Sequence, residues 1–398
     1  MVDCLSTTVK RLSPSATFVM AQKSSELLAQ GIDIVNLSVG EPDFETPANI
    51  KEAAHVAINN NFTKYSAVSG YTSLKEAIRG KLLRENGLEY ESSEIVISNG
   101  AKQSICNAVL SLVSPGDEVI IPSPYWVSYP QMVMMANGTP VPIETTLEDN
   151  FKIDAERLDA AITERTKLII LNTPSNPTGA VYSTDDLESI AKVILNHKNV
   201  FVISDEIYEH INYVGKHSSI ANIPGMKERT VVVNGVSKAY AMTGWRIGYI
   251  AAPKWIASAC NMLQGQYTSG PCSISQKAAE EALNGSQESV ELMRQMLQNR
   301  RDLIVKLISE IPGIEVMRPD GAFYLFPKCS AYFGRHYGEI VIESSTDLAL
   351  YLLEQGHVAT VAGDAFGARE YLRLSYATSE ENITKGVEKI RKALELLV

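Results

Sequence analysis

No C-x-x-C pair and no H-E-x-x-H occurs anywhere in the 398 residues, and the five cysteines (Cys4, Cys106, Cys260, Cys272, Cys329) are odd in number and scattered. That pattern signals neither a disulfide framework nor a zinc site. Positive charge is also short: 36 Lys and Arg stand against 46 Asp and Glu, a net −10. The sign is wrong for a chain whose main partner is a phosphate backbone, so no nucleic-acid partner is expected. No apolar run approaches the roughly 18 residues that a membrane span needs, and the opening MVDCLSTTVKRLSPSATF lacks the apolar core of a secretory signal. A soluble, cytoplasmic protein with no membrane partner is expected. Internal repeats, low-complexity tracts and long flexible linkers are absent too, as are the glycine spacings of a Walker loop or of G-x-G-x-x-G.

What is present is ordinary globular usage, 45% hydrophobic and 21% charged. At this length a fold buries about three quarters of its chain surface, ample for a large core. From about residue 95 to 253, short β-branched runs (Ile95 to Ile97, Glu118 to Ile121, Leu168 to Leu171, Val200 to Ile203, Val231 to Val233, Ile247 to Ile250) alternate with helix-length amphipathic stretches. This is the pattern of a mostly parallel sheet wrapped by helices. Val290, Met293, Leu297, Ile304, Leu307 and Ile308 keep helical spacing and predict one long helix near 287–311, able to bridge two units. Runs at 321–326 and 371–376 predict strands of a smaller α+β unit.

In open α/β sheets ligands bind beyond the carboxyl ends of strands, so the polar residues after each run are the candidates. Ser98-Asn99-Gly100-Ala101-Lys102 leads from a strand into a helix whose first N–H groups could hold a phosphate or simply make a turn. Trp126 follows the second run, as a lid for a planar ring or as core. Asn172-Thr173-Pro174-Ser175-Asn176-Pro177-Thr178-Gly179 is a turn that could offer the Asn176 amide to a ligand. Ser204-Asp205-Glu206-Ile207-Tyr208 puts a carboxylate at a buried strand tip, where it needs a cation or donors, with the Tyr208 phenol near by. Ser237-Lys238 follows the fifth run, and a desolvated lysine there can act as an amine nucleophile.

Taken together and in this order, with SNPTG, SDEIY and Val236-Ser237-Lys238-Ala239-Tyr240-Ala241-Met242-Thr243-Gly244-Trp245-Arg246-Ile247-Gly248, these sites resemble the fold type I pyridoxal-phosphate (PLP) enzymes, specifically the class I aspartate aminotransferases. The resemblance runs from Gly40-Glu41-Pro42-Asp43-Phe44 to Arg373. It implies an α/β protein with a large PLP-binding domain at 47–289 and a small domain made of 1–46 plus 290–398. It also implies a transaminase that moves an amino group between L-aspartate or L-glutamate and 2-oxo acids by a ping-pong route. Residue by residue, it makes Lys238 the lysine that carries the cofactor and shuttles the proton. Asp205 becomes the partner of the pyridine nitrogen, and Tyr208 and Asn176 the partners of the ring oxygen. Trp126 is then the stacking ring, and Ala101, Lys102, Ser237 and Arg246 are the phosphate ligands, with Tyr65 reaching in from the second subunit of a homodimer. Arg373, helped by Gly40 and Asn176, grips the substrate α-carboxylate. No metal is implied. Lys102, with Thr17, also resembles the residues that favour prephenate in bifunctional aspartate/prephenate aminotransferases, although Thr17 could equally be a helix N-cap. Aromatic, alanine and kynurenine aminotransferases share the same cofactor contacts and stay open as alternatives.

Overall fold

A computed structural model describes residues 4–398. Its centre is a seven-stranded sheet in the order Ile95–Ser98, Gly248–Ala251, Thr230–Gly235, Phe201–Asp205, Thr166–Asn172, Glu118–Ser123, Thr139–Glu144. All neighbours run parallel except Gly248–Ala251, which is antiparallel to both of its partners. Ile95–Ser98, Thr230–Gly235 and Gly248–Ala251 are buried along their whole length. Helices cover both faces, which explains why these runs are apolar without alternation. One side packs Val96, Val119, Ile121, Leu168 and Ile170 on the helix Ala101–Leu112; the other packs Ile120, Ile169 and Leu171 on the helix Thr184–Asn196.

The expected strands formed at these positions, with ends moved by one or two residues. Thr139–Glu144 was not foreseen. Its sequence TPVPIE carries two prolines, which have no N–H to donate, and it lies at the sheet edge where that loss is tolerated.

The long helix spans Glu288–Ser309. Val290, in its first turn, packs with the cluster around Ile50, Ile78 and Ile97, while Leu297, Ile304 and Ile308 join the cluster of the C-terminal part. That part holds a three-stranded antiparallel sheet, Val361–Ala362, Leu372–Ser375 and Tyr324–Leu325. Next to it Val35–Asn36 pairs parallel with Val358–Ala359, so the N-terminal segment folds into the C-terminal part. The 321–326 run yields a strand of only two residues. Gly321 instead bridges Asn212 and Ala322 adopts a positive φ of 55°, which turns the chain before Tyr324.

Candidate active site

Parallel strands end at one edge of the large sheet, so Ser98, Asn172, Asp205 and Gly235 arrive there together. The antiparallel strand does the reverse. Gly248 starts it, in register with both Ser98 and Gly235, so Arg246, two residues earlier, stands at the same edge. Around this edge lies a cavity of about 310 Å³, walled on the far side by Thr17, Phe18, Gly40, Tyr324 and Arg373. Of the thirteen site residues expected above, all but Tyr65 line it. Tyr65 is 99% exposed and sits elsewhere on the surface.

The start of the 101–112 helix is built for close approach. Gly100 caps it with φ of 83°, and a Cβ there would come within 2.3 Å of an Arg246 nitrogen. A Cβ on Gly248 would come within 2.2 Å of the Ala101 nitrogen. Only residues without side chains let strand, helix start and guanidinium converge. The N–H groups of Ala101 and Lys102 belong to the first helical turn, which has no intrahelical acceptors. Arg246 donates to the carbonyls of Thr243 (2.9 Å) and Asn99 (3.3 Å), which aims it at this turn. With the Ser237 hydroxyl in the same wall, the set offers backbone donors, a hydroxyl and a cation. Such a set suits a dianion.

Asp205 is 4% exposed. Tyr129 donates to its Oδ2 at 2.6 Å and the Ile207 N–H to its Oδ1 at 3.3 Å. Burial pushes its pKa up to about 6, against the pull of the Tyr129 hydrogen bond. The Asn172 side chain fixes the next loop: its Nδ2 donates to the Asp205 carbonyl (2.9 Å) and its Oδ1 accepts from the Asn176 N–H (2.7 Å). Lys238 Nζ donates to the Gly40 carbonyl at 2.6 Å. Burial lowers its pKa to about 8, Glu41 opposing and Arg373 and Arg246 reinforcing the shift. A fraction of this amine is therefore neutral and nucleophilic near neutral pH.

Arg373 is 2% exposed, not a surface ion-pair residue as its sequence context alone would suggest. It donates to Asn176 Oδ1 (3.0 Å) and to the Ser38 carbonyl (2.6 Å), and its guanidinium lies 4.5 Å from the ring centre of Tyr324 and 5.0 Å from that of Phe366. Its Nε has no partner, and among the described residues no carboxylate pairs with it. Burial lowers its pKa. A buried cation lacking an anion costs several kcal/mol unless a ligand supplies one.

Trp126 is half-buried on the cavity wall, edge-on to Tyr129 with centroids 5.3 Å apart, rather than closed in the core. Lys102 stands exposed at the mouth, 5.2 Å from the Trp126 ring centre and 6.0 Å from that of Phe18. Thr17 is not the cap of its helix, Ala16–Ala29; Ser15 holds that position and Thr17 lines the cavity. Sequence reasoning missed Tyr129, Tyr324 and Glu41. Tyr129 follows Trp126 by three residues and is the one that a search around a known candidate could have found. Tyr324 hydrogen-bonds Tyr208, hydroxyl to hydroxyl, at 2.8 Å.

Comparison with known proteins agrees with this geometry. Residues 32–390 match the family model of class I and II aminotransferases. A probable aspartate/prephenate aminotransferase of Rickettsia conorii is 48% identical over the full length of both chains. A bifunctional aspartate aminotransferase and glutamate/aspartate-prephenate aminotransferase of Petunia hybrida is 48% identical, across 98% of this chain and 82% of its own. The crystal structure of an aspartate aminotransferase from Rhizobium meliloti superposes with a TM-score of 0.96 at 43% identity, covering 99% of each chain. With a strand-end lysine, a buried carboxylate and an unpaired buried arginine around one cavity, and a family match across most of its length, the chain belongs to the class I and II aminotransferases.

Proposed function

We propose that the protein is a PLP-dependent aspartate aminotransferase, transferring the amino group between L-aspartate or L-glutamate and oxaloacetate or 2-oxoglutarate. The unpaired, buried Arg373 carries the reading: it is a carboxylate site waiting for its anion, at the floor of a cavity that also holds an amine of lowered pKa. The residues present fit PLP. The cradle of Ala101, Lys102, Ser237 and Arg246 suits its phosphate, and added Cβ atoms at Gly100 and Gly248 would collide with the Arg246 guanidinium and the Ala101 nitrogen that form it. Asp205 suits its pyridine nitrogen, Tyr208 and Asn176 its ring oxygen, and Trp126 its face.

When bound, PLP supplies the electron-withdrawing ring that accepts the electron pair left at the substrate Cα. The chain does the rest. Arg373 and Asn176 orient the α-carboxylate, fixing which bond at Cα faces Lys238. Lys238 Nζ, which donates to the Gly40 carbonyl, would take the proton from the Cα of the amino donor and pass it to the cofactor, and in the second half-reaction deliver one to the Cα of the oxo acid. Asp205 would gain a cation in a protonated ring nitrogen and would remain ionised beside it despite its burial. Lys102 at the mouth offers a mobile charge to a distal carboxylate.

A homodimer belongs to this reading. Tyr65 is fully exposed, and a groove of about 990 Å³ lined by Leu110, Met132, Met135 and Tyr267 opens beside the cavity and shares Lys102 and Arg246 with it. Both features fit a second copy whose Tyr65 completes the phosphate site. Division into domains at 47–289, and a cytoplasmic location, are part of the same proposal; no helix among the described residues is long and apolar enough to cross a membrane.

A second reading, aspartate/prephenate aminotransferase, is favoured by the names of the relatives and by the position of Thr17 and Lys102 on the cavity wall. The deciding experiment compares kcat/KM for prephenate and oxaloacetate with L-glutamate as common donor. Comparable values assign both activities. Turnover of oxaloacetate alone restricts the protein to the first, and turnover of neither refutes the substrate assignment.

A further inference from the structure

Tyr208 and Tyr324 are both buried, at 4% and 1% exposure, and both line the cavity. They reach it from opposite sides: Tyr208 follows the large-sheet strand Phe201–Asp205, and Tyr324 opens the small-sheet strand Tyr324–Leu325. Their hydroxyls are 2.8 Å apart. Burial raises the pKa of each, so at neutral pH the pair holds two protons. One proton lies in the bond between them and the other is free to be donated elsewhere.

Which one is free depends on the surroundings. Tyr324 has no acceptor among the described residues apart from Tyr208, and its hydroxyl is walled by Gly40, where an added Cβ would come within 2.5 Å of it. Its ring is occupied too, carrying the Arg373 guanidinium on its face and packed edge-on by Tyr208. If Tyr324 accepted from Tyr208 instead, its own buried O–H would be left without an acceptor, so it donates to Tyr208. Tyr208 must then turn its own proton into the cavity.

We propose that Tyr324 is a positioning residue for the cofactor site. Its hydroxyl donates to Tyr208, commits the Tyr208 proton to the cofactor's ring oxygen, and through its ring links that phenol to the carboxylate-binding Arg373. This rests on the PLP reading above. A chain of two phenols polarises along its length, so the bond from Tyr208 is stronger with Tyr324 behind it than alone.

The test is an absorbance titration of the PLP-reconstituted protein. Hydrogen bonding to the ring oxygen favours its deprotonated form, so weakening that bond raises the pH midpoint of the bound chromophore. Tyr208→Phe raises the midpoint most. Tyr324→Phe, which keeps the ring under Arg373, raises it by about half to one pH unit and leaves KM for the amino acid nearly unchanged. In the double variant the midpoint equals that of Tyr208→Phe alone, because Tyr324 acts only through Tyr208. Tyr324→Leu removes the ring as well and raises KM. Gly40→Ala reaches the same hydroxyl without deleting it and moves the midpoint in the same direction. A Tyr324→Phe protein that titrates like the parent, or shifts that add in the double variant, overturns the relay alone. A parent protein that binds PLP with no pH-dependent band overturns the relay and the assigned role of Tyr208, and one that binds no PLP overturns the proposed function with them.

Discussion

Replacing Lys238 by methionine abolishes turnover under the proposed mechanism, yet the same change stabilises the PLP-free protein. The lysine sits at the cavity wall with its pKa lowered from 10.5 to about 8, chiefly by burial. A gap of about 2.5 pH units corresponds to about 3 kcal/mol, trimmed by whatever water hydrates the ammonium in the cavity. The sign follows from proton counting. Between pH 8 and 10.5 the unfolded chain holds a proton that the folded chain has released, so stability rises with pH across that window. Below pH 8 both states are protonated and the folded protein carries the full cost. Methionine keeps the stem and removes the charge, giving up only the hydrogen bond to the Gly40 carbonyl. At pH 7 the PLP-free variant is therefore expected to be about 1–3 kcal/mol more stable than its parent, and the advantage shrinks to near zero above pH 10.5. Urea unfolding of both proteins without PLP, at matched concentration and several pH values, measures this, because titrations uncoupled from Lys238 cancel in the difference. The coupled Asp205 carboxylate, which the lysine charge favours, acts chiefly at lower pH than the 8 to 10.5 window. A difference that stays flat with pH, or a methionine variant weaker at pH 7, would refute the reasoning.

Two further outcomes follow from contacts already described. Arg373→Lys keeps the charge but loses the planar fork and the stacking on Tyr324, so kcat/KM should drop at least about 30-fold for amino and oxo acids alike, mostly through KM; a drop confined to dicarboxylates would show instead that this arginine reads the distal group. Gly248→Ala drives a methyl group to within 2.2 Å of the Ala101 nitrogen, so PLP affinity should weaken at least about tenfold, measured by fluorescence titration; affinity equal to the parent's would mean that the 101–112 helix start is not the phosphate site.

Strand-end chemistry was legible in the sequence because it is local. A buried run followed by a polar tip names Asp205, Asn176 and Lys238 without any knowledge of neighbours. Arg373 was legible only through family resemblance, since its alternation with Leu372 and Leu374 suits a surface position equally well. What made it buried is the three-stranded sheet around it, in which it pairs with Val361. Tyr129 and Tyr324 carried no signal of their own. Tyr129 acts on Asp205 from 76 positions away and Tyr324 on Tyr208 from 116, so their roles exist only once the two sheets are in place. The strand Thr139–Glu144 was hidden by two prolines that argue against a strand anywhere but an edge.

The antiparallel placement of Gly248–Ala251 bears on how the protein comes to be functional after synthesis. This strand inserts between Ile95–Ser98 and Thr230–Gly235, and its pairing of Gly248 with Ser98 closes a loop of about 150 residues. Loop closures of that length are slow relative to local structure. Until it occurs, Arg246 and the start of the 101–112 helix are not neighbours and no phosphate cradle exists. Under the proposed function, cofactor capture would require this strand to be in place, so any chain that holds PLP has already closed that loop of about 150 residues.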